Sequence, residues 1–258
     1  MKRIVCGLIV VGASFLTHAA NVNVPNGTDS AQTVPDFSGF WIRKSPPRVA
    51  NSAPPDLPEG WRTLNSFPPP LRPEAYEVVK AQRVKEAAAM ERAEGTDPQT
   101  ARCAPAGMPD LMFHMAPLDI LQRRDELVML TERERTLPRH IYILPYHPAA
   151  KEYDPKESGN LTPNGRSLAR WEGKTLVIKT EGFDPEPYMA SIDRVQKSDE
   201  MTIEERLSLD STGQLLSNQM TVTDPKTLLR PWAFTLTYAR APLGTEAIQQ
   251  ICAPEPVK

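Results

Sequence analysis

The chain has 258 residues, of which 40 % are apolar and 24 % charged, and a formal net charge of −2. That length and apolar content suit one folded domain with a sizeable core. With no basic patch and no run of like charge, the sequence argues against nucleic acid or an anionic membrane surface as a partner.

Residues 1–20 read as a signal peptide. Lys2 and Arg3 form a basic start, and Ile4–Leu16 is an apolar stretch too short to span a bilayer. Small residues around Ala19 and Ala20 then suit cleavage. The expectation is export to the periplasm or the medium, with no membrane insertion after cleavage. Removing Lys2 and Arg3 takes the net charge to −4. Cys6 leaves with the signal, and two cysteines remain, Cys103 and Cys252. An even count in an oxidising compartment suggests one disulfide.

Residues 21–72 are rich in Pro, Asn, Ser and Gly, and the repeated Pro-Pro pairs forbid regular helix or sheet. An extended arm is expected, with one apolar island at Asp36–Ile42 that suits a short strand. Residues 73–96 read as a helix packed on the core. Pro73 suits the first helical position and Gly95 the stop. Tyr76, Val79, Ala87 and Met90 form its apolar stripe, which Arg83 interrupts.

Residues 97–258 read as the β domain. Leu118–Gln122, Leu127–Glu132, Arg139–Leu144, Ser167–Trp171, Thr175–Thr180, Met201–Leu209, Leu215–Thr223 and Trp232–Arg240 carry β-branched and alternating patterns between turn residues. Glu172-Gly173 supplies a tight turn between two of them. About eight strands in antiparallel, mostly sequential order, without helical crossovers, predict a mainly β fold. The favoured form is a meander closing into a calycin-like or lipocalin-like barrel, with one N-terminal helix and a Pro-rich arm. A two-sheet sandwich is the alternative. Trp232, Phe234, Leu236 and Tyr238 alternate with small residues and define one large-residue face.

Several pieces together resemble a widespread, largely uncharacterised family of exported bacterial proteins. They are Arg170-Trp171-Glu172-Gly173, Thr175-Leu176-Val177, Gly182-Phe183, Glu205-Arg206, Asp224-Pro225, Pro231-Trp232, the Cys103-Ala104-Pro105-Ala106-Gly107 start, and Ser38-Gly39-Phe40-Trp41. The resemblance covers about Cys103–Cys252 and brings no activity with it. Lys174 stands where that family usually has Asp, and Lys197-Ser198 where it has His-Ser. Gly39-Phe40-Trp41 is also similar to the opening strand of lipocalins, which favours a barrel over a sandwich.

Glu205 is the sharpest candidate for chemistry. Met201, Ile203, Glu205, Leu207 and Leu209 share one strand face, so a carboxylate sits in an apolar row. Burial there suits either a general acid or base, or a structural ion pair with Arg139, Arg170 or Arg194. Glu132 is a second carboxylate candidate, in a charged run that equally suits a strand end. His140 alternates with Tyr142 and suits a cavity wall, and His114 a barrel mouth. Trp171, Trp232 and Tyr238 are either core anchors or the wall of an apolar pocket.

No spacing suits a metal, and the serine elbow, dinucleotide loop and phosphate loop are absent from the sequence, so no cofactor is expected. The leading expectation is a barrel that binds a small apolar or aromatic molecule. The alternatives are a cofactor-free lyase, isomerase or hydrolase using Glu205 or Glu132 with Arg139 or His140, and an envelope interaction protein.

Overall fold

The structure, a computed structural model, describes residues 34–44, 67–91, 103–113, 116–131, 136–147, 159–186 and 188–246. All belong to one compact unit. Residues 1–20, expected to be a signal peptide, most of the Pro-rich stretch, Glu132, His114 and Cys252 lie outside the described residues.

Nine strands among the described residues close into a barrel in chain order. They are β1 (Gly39–Arg43), β2 (Leu118–Gln122), β3 (Glu126–Thr131), β4 (Arg139–Ile143), β5 (Arg166–Glu172), β6 (Thr175–Glu181), β7 (Thr202–Leu209), β8 (Leu215–Thr223) and β9 (Trp232–Arg240). The expected meander is therefore correct in its order but short by one strand. The island at Asp36–Ile42 becomes β1, which pairs with both β2 and β9 and closes the ring. Closure removes the unpaired edges that an open sheet would carry.

One pair departs from the antiparallel expectation: β4 and β5 run parallel, with Ile141 opposite Ser167 and Ile143 opposite Ala169. The two strands are separated in sequence by residues 144–165, of which 148–158 lie outside the described residues. A parallel neighbour needs a connection that returns the chain to the starting end, and a tight turn cannot do that.

The two ends of the barrel differ in consequence. At one, hereafter the turn end, the strands are joined by short turns at 123–125, 173–174 and 210–214. The β5–β6 turn uses Gly173-Lys174, one residue later than expected, because Glu172 still pairs with Thr175. Gly173 has φ 61°, in the left-handed region that a side chain disfavours. The opposite end, the loop end, receives the longer connections 182–201 and 224–231 and the approach to β2. Leu71, Met108, Leu111, Phe183, Met189, Val195 and Leu228 are buried there with the strand side chains.

Alternation assigns the interior. Trp41, Ile120, Leu127, Met129, Ile141, Ile178, Leu207, Leu216, Leu236 and Tyr238 are buried in one continuous core. The face bearing Trp232, Phe234, Leu236 and Tyr238 does point inward, as the large-in, small-out pattern predicts.

Helix α1 (Pro73–Glu91) packs beside the loop end. Its stripe is thinner than expected: Val79 is buried and Tyr76 half-buried, but Ala87 is exposed. Ion pairs supply the rest of the attachment. Arg83 Nη2 donates to Asp193 Oδ1 at 2.6 Å, and Arg194 Nε donates to Glu86 Oε2 at 2.9 Å. The residue that interrupts the stripe is thus one that ties the helix to the loop. No helix among the described residues is long and apolar enough to cross a membrane.

Gly107 marks the tightest approach at the loop end. A Cβ there would lie 2.1 Å from the Pro163 carbonyl oxygen, which already accepts the Met108 N–H at 3.1 Å. Gly107→Ala is expected to cost about 1–3 kcal/mol, as overpacking of a closed site does. Urea denaturation checks this; an unchanged midpoint would show that the two segments separate freely.

Candidate functional site

Among the described residues two polar centres stand out inside the barrel, and they differ in how fully they are paired. The first is built around Glu205 on β7. Its neighbours in register are Ile178 and Met220, so the carboxylate enters an apolar layer. Arg139, at the start of β4, meets it from across the lumen. Arg139 Nη1 donates to Glu205 Oε1 at 3.1 Å, and Nη2 donates to Oε2. Asn218 Nδ2 donates to Glu205 Oε1 at 2.8 Å. The guanidinium also donates to Ser167 Oγ at 3.1 Å and to Thr180 Oγ1 at 3.0 Å. Arg139 and Glu205 are 1 % and 0 % exposed, respectively. Of the three arginines weighed as partners, the fold selects Arg139. Arg170 instead pairs with Glu172, and Arg194 with Glu86.

This geometry favours structure over acid–base chemistry. Both carboxylate oxygens are held by protein donors, and burying such a pair is tolerable only with that degree of satisfaction.

The second centre is Arg43, the last residue of β1. It lies on the inner face with Gly39 and Trp41, and its register partner is Tyr238. Only 6 % of it is exposed. Nη1 donates to the Phe113 carbonyl oxygen. The guanidinium carbon stands 5.9 Å from the centroid of the Phe113 ring. Nε is buried and donates to no described residue. Burial pulls the Arg43 guanidinium below its usual range, and burial likewise pushes the Tyr238 phenol above its own.

Around Arg43 the loop end is aromatic. Phe113 lies 5.3 Å from Trp232 and 5.0 Å from Phe234 between ring centroids; Phe234 lies 4.8 Å from Trp232 and 5.3 Å from Phe67. Trp232 and Phe234 are buried, whereas Phe113 and Phe67 are half-buried and form the solvent side of the cluster. Of the expected ligand-wall residues, Trp232 lies in this cluster, whereas Tyr238 lies six residues further along β9, opposite Arg43.

The other expected residues are dispersed. Trp171 is at the turn end, stacked on Phe37 with centroids 5.5 Å apart, and caps the core there. His140 and Tyr142 are on the outer face of β4, because their parity is opposite to that of Arg139, Ile141 and Ile143. This corrects their placement as lumen residues. His140 Nδ1 lies 2.6 Å from Glu126 Oε1, and Tyr142 packs on His147 at 4.3 Å. Glu132 and His114 lie outside the described residues. Cys252, the expected partner of Cys103, also lies outside the described residues.

Lys197 is a further buried cation. It is 4 % exposed, and its Nζ donates to the Met108 oxygen at 3.3 Å. Burial pulls its amine down to about 8, partly opposed by Asp110 and Asp184. Among the described residues no group of His, Cys, Asp and Glu is arranged to hold a metal ion.

Comparison with known proteins found no matching family model, curated protein or solved structure.

A concavity of about 630 Å³ lies on the outside of the barrel, over β5–β8. Leu144, Leu168 and Val177 line it together with Arg166, Arg170 and Lys179. Alternation explains it: these strand residues have outward parity. Arg43 and this groove were both missed by sequence reasoning. For Arg43 a signal existed, since the inward period Gly39, Trp41 extends one step further to it. For the groove none did, because it depends on sheet curvature.

Proposed function

We propose that the mature chain is an exported β-barrel protein, periplasmic or secreted, that binds a small apolar or aromatic molecule at its aromatic loop end. The observation that carries this reading is the four-ring cluster of Phe67, Phe113, Trp232 and Phe234, half-open to solvent through Phe67 and Phe113. Such rings offer large contact area at little conformational cost. The long connections at that end suit it to recognition, since loops on a rigid scaffold carry binding groups. A disulfide from Cys103 to Cys252 belongs to this proposal and fits an oxidising compartment. Catalysis by Glu205 has less support, because Arg139 and Asn218 occupy both of its oxygens.

The test is calorimetric titration with the neutral fluorophore N-phenyl-1-naphthylamine. Saturable binding is expected, weakened about 3–10-fold by Phe113→Ala, the amount one aromatic contact contributes. Absence of saturable binding would refute the reading. The outer groove supports a second reading, because its volume falls in the range of ligand pockets. Leu168→Glu separates the two: loss of binding in this variant, with Phe113→Ala unaffected, places the ligand in the groove.

A further inference from the structure

We infer that Arg43 is a carboxylate-recognition residue, and that the ligand class of the loop end is an aromatic or apolar monocarboxylate bound side-on by its guanidinium. This rests on the proposed binding at the loop end and adds the ligand's charge and shape.

Arg43 and Arg139, both interior, differ in how fully they are paired. Arg139 has a carboxylate, two hydroxyls and a closed set of hydrogen bonds. Arg43, equally inside the barrel, has one backbone carbonyl and the face of a ring. Among the described residues it has no carboxylate partner, and its Nε is an orphan donor. A buried cation without a counter-charge is costly, and native interiors rarely keep one idle.

The free edge has a defined geometry. Nη1 is committed to the Phe113 carbonyl, and neither Nε nor Nη2 donates to a described residue. Nε–H and Nη2–H form the parallel fork that matches the two oxygens of a carboxylate. One arginine fork neutralises one negative charge. Among the described residues the other guanidinium inside the barrel, that of Arg139, is committed to Glu205. The match is therefore to a monoanion rather than to a phosphate dianion. Phe113 contacts both the guanidinium and the Trp232 and Phe234 rings, so a carboxylate on Arg43 is held one side chain away from the aromatic cluster.

The experiment uses the mature protein and two matched probes, 2-naphthoate and 2-naphthamide, titrated calorimetrically at pH 7. The amide reports the aromatic end alone. The carboxylate is expected to bind at least 10-fold tighter than the amide, and Arg43→Gln to abolish that difference while leaving amide binding within 2-fold. Equal binding of the two probes to the wild type, or discrimination that survives Arg43→Gln, overturns the carboxylate assignment while leaving binding at the aromatic end intact. Failure of both probes to bind overturns the binding reading as well. Melting temperature separates recognition from a purely structural role. Removing an unpaired buried cation is expected to leave the unliganded protein at least as stable, and 2-naphthoate to raise the melting temperature of the wild type only. If Arg43→Gln loses stability, Arg43→Lys decides. It keeps the charge but lacks the fork, and it is expected to lose most of the discrimination; wild-type discrimination in Arg43→Lys overturns the inference.

Discussion

Arg139→Met is expected to destabilise the protein by about 3–5 kcal/mol, because it leaves Glu205 charged, buried and without its cation. The Asn218 amide alone would then face that carboxylate. Glu205→Leu should cost a similar amount from the other side, by stranding a guanidinium that is 1 % exposed. The double variant is expected to recover most of the loss. Two apolar residues in a layer already made of Ile178, Met220 and Met129 restore packing and remove both desolvated charges. Ser167 and Thr180, which bond each other at 2.9 Å, keep a partner after Arg139 is gone. A double-mutant cycle by urea denaturation measures this. If the two single losses simply add in the double variant, the pair is not the coupled unit described here.

Lys197 yields the second large effect, as a pH dependence. Its folded-state value, about 8, lies below the ordinary 10.5 of a lysine. Between those values the unfolded chain binds the proton and the folded chain does not, so stability rises with pH across that window. Below pH 8 both states are protonated, and the burial cost is then fully felt. It amounts to about 3 kcal/mol when the difference is converted at 1.36 kcal/mol per unit. Lys197→Met is expected to lack the rise. Subtracting its stability-against-pH curve from that of the wild type isolates the effect from Lys226, whose exposed amine is raised by Asp199 and Glu200 and therefore has the opposite sign. Parallel curves from pH 7.5 to 10.5 would mean that the amine is solvated rather than held among Met108, Asp110 and Asp184.

The departures from expectation share one cause. The β4–β5 connection reads as a break between strands, and nothing local in residues 144–165 reveals that the chain returns to the starting end and pairs in parallel. The parity of His140 was legible, and so was that of Arg139. What was not legible was which parity faces inward, because β4 carries Arg139, Ile141 and Ile143 on one side and His140 and Tyr142 on the other, so hydrophobicity alone does not choose. Trp171 had an evident strand and turn, but its partner Phe37 lies in a segment separated from it by more than a hundred residues.

The sequence by itself determined the class of fold. Period-two alternation in β7, β8 and β9, glycines at the turns and the large-residue face of β9 already specify a curled antiparallel sheet with that face inside. It also determined that Glu205 had to be either paired or reactive, since its neighbours on the strand face are apolar. Only the tertiary structure decided between those outcomes, by bringing Arg139 to it from 66 residues away. It equally decided that Arg43 has no such partner among the described residues and that Lys197 is enclosed by loops. The physical reason is that periodicity records which side of a strand is dry, whereas charge satisfaction depends on which side chains closure brings face to face across the lumen.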